Sequence, residues 1–225
     1  MMQLVWKDYR LNRSLFGLGA AVLAILYAVG AGMEVHAAWP SPPTKDAWAA
    51  VLVSYGTISM YLSIGVTAVL GGYAISCERA NRTAHFLAYL PPNRRQILTS
   101  KFIVAGGASA AWWAWVLITV FVVAPRLSAR PGDFTGTVDG RGVAALCVLT
   151  FGVGWLGSAC SESTVVPIIL AGSSPIVIGF AMFGLADALG MPRLEMAKWS
   201  NPVSLAGGGI SFVAGSWAYL RRVEP

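Results

Sequence analysis

Six stretches of this chain contain no Asp, Glu, Lys or Arg: Ser14–Met33, Ala47–Cys77, Phe102–Pro125, Gly142–Ser161, Ser163–Ala186 and Trp199–Leu220. They run for 20, 31, 24, 20, 24 and 22 residues, and each reaches the roughly 18 to 20 apolar residues that a membrane-crossing helix needs. A bilayer core offers backbone amides no partner, so such stretches fold as helices or as a closed barrel. Barrel strands are about 10 residues long and alternate in polarity, and these do neither. The expectation is an all-α polytopic membrane protein, a single domain over 1–225 with six transmembrane helices at about 14–33, 48–76, 102–124, 142–160, 164–186 and 202–220. Only 12% of the residues are charged, against about 25% in a soluble domain, which agrees with a bilayer as solvent.

An even number of spans puts both termini on one side. If that side is the cytoplasm, ten basic residues lie inside, among them Lys7, Arg10, Arg13, Arg94, Arg95 and Lys101, and six lie outside. Acids divide four inside and six outside, so the formal +6 falls on the cytoplasmic face. The positive-inside rule favours this orientation. The basic balance suits anionic lipid headgroups and calls for no nucleic acid. Arg10, Arg13, an apolar run and "VHAA" at Val35–Ala38 resemble a signal peptide, but the apolar run is longer than the usual one and the chain opens at Met1, so a retained first span is expected. "AAWPSPPTKDAW" reads as an interfacial outer loop, "LGMPRLEMAKWSNP" as an outer segment able to dip back into the membrane, and "SACSEST" as a tight inner turn. Cys77, Cys147 and Cys160 form no C-x-x-C pair and read as small packing residues.

Several chemistries are missing. There is no G-x-x-x-x-G-K-[ST] phosphate loop and no H-E-x-x-H. His36 and His85 fall on opposite sides of the membrane in this topology, so they share no metal. "VDGRGVAAL" at Val138–Leu146 lacks the further aspartates of a phosphatidyltransferase motif, and "AGSSP" at Ala171–Pro175 is no nucleophile elbow. No catalytic, cofactor-binding or metal-ligating residue is assigned. The six stretches also hold no ionisable residue of the kind that marks proton or ion pathways, which weighs against an ion-coupled carrier.

One polar island interrupts the apolar chain. "CERANRTAHFLAYLPPNRRQILTSK", Cys77–Lys101, carries five basic residues and one acid. Glu78–Leu90 has the spacing of a helix, with Ala84, Phe86, Leu87 and Leu90 as its apolar positions. Pro91 disfavours helical geometry in the residue before it and ends that helix. Asn93 is then placed as an N-cap with Gln96 three residues on, the pattern of a capping box, so a second helix starts there and runs into the third span. A plain basic loop would account for the charge, but not for Phe86, Leu87, Tyr89 and Leu90 ahead of a rigid corner. Exposed apolar groups bordered by arginine suit a partner contact.

Two segments resemble type-2 ABC transporter permeases. The island is similar to the cytoplasmic segment between the second and third spans of that family, where an acid, "FL-x-x-LP", "xRxxI" and a lysine recur; here these are Glu78, Phe86, Leu87, Leu90, Pro91, Arg94 or Arg95, Ile97 and Lys101. "LVWKDYRLNRSLF" at Leu4–Phe16 resembles the interfacial "KD-x-R" helix before the first span. Asn81-Arg82-Thr83 stands where many members carry Gly-Thr, which bears on subfamily and not on class. The resemblance implies an interfacial helix over 1–13 and a cytoplasmic coupling helix within 77–101. It further implies a homo- or heterodimer with a second permease, and a separate ATP-binding subunit that carries ATP and Mg. That subunit would contact Glu78, Arg79, Arg82, Phe86, Leu87, Tyr89, Leu90, Arg94, Arg95 and Gln96. A multi-pass protein of a bacterial cytoplasmic membrane is implied with it.

In that family the second and fifth spans line the passage. Ser54, Thr57 and Tyr61, with Gly65 following, make a seam on the second span, and Ser173 and Ser174 sit between Pro167 and Pro175, which should kink the fifth. The hydroxyls of the second-span seam either line a path or bond to their own helix and serve packing. Gly152, Gly154 and Gly157, and Gly207, Ser211 and Gly215, read as close-packing faces. An uncharged lining suits an apolar or amphiphilic cargo such as a drug, lipid or peptide. A non-transporting anchor or sensor subunit, its island holding a soluble partner, is the alternative.

Overall fold

A computed structural model of the chain describes residues 2–38, 41–80, 93–127 and 140–221, without the side chains of 78–80 and 193–197. All six predicted spans are helices, and no strand occurs among the described residues. We number them α1 (Met2–Ala38), α2 (Lys45–Ala80), α3 (Arg94–Leu127), α4 (Gly140–Cys160), α5 (Val165–Leu189) and α6 (Arg193–Arg221).

Helices α1, α2, α3 and α6 outrun at both ends the uncharged stretches that predicted them, whereas α4 and α5 each pass only one end. Charge marks where hydrocarbon stops, whereas a helix stops only where its backbone finds another partner. The 37 residues of α1 make a rod of about 55 Å, against a hydrocarbon core of about 30 Å. Residues 2–13, expected as an interfacial helix, are helical and continue into the first span without a break. Helix α2 likewise runs through Glu78 and Arg79 to Ala80.

Local chemistry sets the ends. Pro42 and Pro43 precede Thr44, whose Oγ1 accepts from the Ala47 amide at 3.2 Å to cap α2. Gly190 closes α5 in the left-handed region at φ 64°, and the Met191 amide reaches back to the Ala186 carbonyl at 3.0 Å. The turn after α4 is held by Ser161 Oγ, which accepts from the Ser163 amide at 3.1 Å. Helix α6 starts at Arg193 and crosses Pro202 as one element. Within α3, Ile118–Val123 is π-helical. Pro125 has no amide hydrogen for an α-type bond, and the ladder slips so that the Ala124 amide bonds to the Thr119 carbonyl.

Helix α4 is the hub, packed on α2, α5 and α6. In its most apolar window 61% of the residues are buried, against 6% for α1 and 17% each for α5 and α6. Helices α1 and α3 flank α2, and α6 barely touches α3. Two close approaches build the hub. A Cβ on Gly152 would collide with the Gly208 carbonyl of α6, and one on Gly154 would lie 2.7 Å from the Gly72 amide of α2. Only glycine lets backbones meet this closely, which is how helices associate where lipid removes the hydrophobic driving force. The predicted faces hold at Gly152, Gly154, Gly157 and Gly215, but on α6 the close backbone contact is Gly208, one residue past Gly207, where a Cβ would meet only side chains, Leu149 at 3.4 Å and Ile178 at 3.9 Å. Phe102, Phe151, Trp155 and Phe212 cluster beside the crossing with ring centroids 5.2 to 6.5 Å apart.

Candidate functional site

The predicted corner is partly on view. Asn93 caps α3: its side chain accepts from the Arg95 amide at 3.3 Å, and Gln96 Oε1 accepts from the Asn93 amide at 3.3 Å. That is the capping box read from the sequence. Arg94, Arg95 and Gln96 are exposed in the first turn. Arg82, Phe86, Leu87, Tyr89 and Leu90 lie outside the described residues, as do the side chains of Glu78 and Arg79.

Just beyond the cap, two quoted motifs meet. Ser100 Oγ donates to Asp8 Oδ2 at 2.5 Å, joining α3 to α1. Lys101 Nζ donates to the Ala74 carbonyl of α2 at 3.0 Å. Asp8, Ser100 and Lys101 are at most 4% exposed, and Lys7 Nζ lies 3.7 Å from Asp8 Oδ1. Buried charges persist only where partners hold them, so this knot fixes three helices at one end of the bundle. A displacement of α3 at Arg94 must carry α1 with it. Nineteen residues further along, the Tyr27 hydroxyl sits 3.3 Å from Thr119 Oγ1, at the same sequence offset of 92 as Asp8 and Ser100. Helices α1 and α3 therefore run parallel and in register.

The predicted passage residues lie on two surfaces. On α2, Ser54, Tyr61 and Gly65 are exposed, and the half-buried Thr57 donates to the Val53 carbonyl at 2.7 Å. On α5, Ser173 donates to the Leu170 carbonyl at 3.1 Å and Ser174 to the Ala171 carbonyl at 2.7 Å. Pro175 has no amide to offer Ala171, so Ser174 fills the bond that proline leaves open. The opposite face of α2 carries a hydroxyl ladder that the sequence reading passed over. Ser59, Ser63 and Thr67 recur every fourth residue and are buried. The Trp112 indole donates to the Ser59 carbonyl at 3.3 Å, Ser63 Oγ lies 3.1 Å from Cys147 Sγ, and Thr67 Oγ1 lies 2.8 Å from Thr150 Oγ1. The i, i+4, i+8 spacing was the available signal.

Two lateral grooves flank this core. One, of about 1000 Å³, runs along α1 and α3 between Trp6 and Trp115. The other, of about 490 Å³, lies between α3 and α6 over Thr67, Cys147 and Gly152. Both are walled almost wholly by apolar side chains. No cluster of metal-ligating side chains occurs among the described residues.

Six apolar helices, with a polar knot at one end and a capped, exposed basic turn beside it, make up a multi-pass membrane protein. The chain belongs to the ABC-2 family of transporter proteins, whose family model matches residues 6–186. Both quoted motifs, Leu4–Phe16 from its third residue and Cys77–Lys101 entirely, fall within that match. It is thus a permease-type membrane subunit, a kind that works with an ABC ATP-binding partner. The chain matches no curated protein and no solved structure.

Proposed function

We propose that this chain is the permease subunit of an ATP-driven exporter in a bacterial cytoplasmic membrane, with both termini in the cytoplasm. A separate subunit binds ATP and Mg and docks over Glu78–Gln96. A second permease, identical or related, completes the passage, and the cargo is apolar or amphiphilic: a drug, lipid or peptide. The family match over residues 6–186 carries this reading. The corner supports the coupling step. Its descending helix is capped at Asn93, runs without interruption to Leu127 and is knotted to α1 and α2 at Ser100 and Lys101. Such a lever passes a push into the membrane, where a slack loop would absorb it. The apolar groove walls and uncharged spans support the cargo class.

Replacing Leu87 and Leu90 together by Asp places two charges in the contact that the ATP-binding subunit would need. The variant should insert in the membrane at the parental level, yet lose copurification of that subunit from mild detergent and lose ATP-dependent transport. Undiminished copurification would remove the docking site from this proposal.

A further inference from the structure

We infer that the groove between α1 and α3 is a site for an anionic phospholipid, whose acyl chains lie along the apolar wall and whose phosphate is held by Arg13 and Arg10. At about 1000 Å³ it is at the upper end of the roughly 300–1,000 Å³ of ligand pockets. Small residues make its floor: Ala20 and Ala24 on α1, Gly107, Ala108 and Ala111 on α3. The parallel register of the two helices keeps it open along its length.

Charge borders this trough partway along α1, whose lining residues run from Met2 to Tyr27. Trp6, Ala20 and Tyr27 all line it and are multiples of seven residues apart. An α-helix drifts only about 20° in seven residues, so Arg13, midway between Trp6 and Ala20, falls beside the stripe that they form, where the lining passes from Tyr9 to Phe16. Arg13 and Arg10 are exposed. The nearby acid, Asp8, is buried and bonded to Ser100, turned away from that stripe. Tyr9 and Phe16 stack with centroids 5.9 Å apart, one turn to either side of Arg13, and Trp6 joins Tyr9 at 5.6 Å. Amphipathic rings beside arginine suit the headgroup level. From Arg13 to Tyr27 the wall rises about 21 Å, enough for one leaflet of a core about 30 Å thick.

The alternatives fit less well. A soluble partner cannot follow a groove that continues to Tyr27 and Trp115, deep in the span. A second copy meeting this face about a twofold axis would set each patch against itself, and Lys7, Arg10 and Arg13 would face their own likeness. An arginine fork, by contrast, matches a phosphate.

The test titrates the purified full-length chain in mild detergent with phosphatidylglycerol or phosphatidylcholine and counts bound lipid by native mass spectrometry. At about 1 kcal/mol per basic residue and 1.36 kcal/mol per tenfold, the two arginines should give phosphatidylglycerol a preference of roughly 30-fold. Arg10→Gln with Arg13→Gln should bring that ratio near one, and Arg10→Lys with Arg13→Lys should keep most of it, separating charge from folding. Gly107→Leu fills open space, since a Cβ there meets nothing within 4 Å; it should lower binding of both lipids without unfolding the chain. Equal binding of the two lipids by the parental chain, or an undiminished preference in the Gln pair, would overturn the inference. So would a dimer that Gly107→Leu dissociates, because the groove would then be a protein contact.

Discussion

The bond between Asp8 and Ser100 shows how much one buried pair is asked to do. A hydroxyl and a carboxyl, each nearly sealed from solvent, satisfy one another across two helices. Removing either leaves the other buried without this partner, at a cost of about 1–3 kcal/mol. Asp8→Ala and Ser100→Ala should therefore each destabilise by that amount, and the double variant should lose little more than either single one. Reversible unfolding in detergent mixtures, analysed as a double-mutant cycle, should give a coupling of about 1–3 kcal/mol. Simple additivity of the two losses would show that the bond does not hold α1 to α3. Ser174 illustrates the same logic within one helix, since its hydroxyl occupies the carbonyl that Pro175 cannot. Neither partnership was legible beforehand: spacing placed Ser174 near a proline and Asp8 in a motif, but a contact 92 residues away depends on the register of two helices.

At the scale of elements, the three consecutive glycines of α6 separate packing from propensity. A Cβ on Gly208 would stand 2.5 Å from the Val148 carbonyl of α4, whereas one on Gly209 would meet nothing within 4 Å. Gly208→Ala forces two backbones apart and should cost about 1–3 kcal/mol. Gly209→Ala meets no obstacle and should be neutral or stabilising by up to about 1 kcal/mol, the helix propensity of alanine over glycine. The same unfolding measurement reads both, and equal losses would mean that α4 and α6 do not cross here. Small-residue spacing in the sequence located this crossing to within one residue. It did not distinguish Gly207 from Gly208, because the choice depends on how α6 is rotated against α4. The capping box at Asn93 was fully legible, since donor, acceptor and helix start lie within four residues. The π-helical stretch of α3 was not read, although Pro125 marks its end.

For the whole molecule, absence of charge revealed the six spans because lipid imposes that rule on every spanning segment alike. What the apolar faces touch was far less legible, since greasy residues serve lipid, neighbouring helices and grooves equally well. Tyr61 and Trp155 read alike in composition, yet one is 57% exposed and the other fully buried. The expected orientation can be tested with cysteines the chain already has. Cys77 and Cys147 are buried, while Cys160 is exposed at the end of α4, beside the turn expected in the cytoplasm. A membrane-impermeant maleimide should label Cys160 in inside-out vesicles and leave it unmodified in sealed right-side-out vesicles. Ser41→Cys, exposed in the loop before α2, should show the reverse, because a helix separates each loop from the next. If Cys160 reacts from the outer side and position 41 from the inner, Arg94 and Arg95 face away from the cytoplasm, and no ATP-binding subunit can reach the corner they begin.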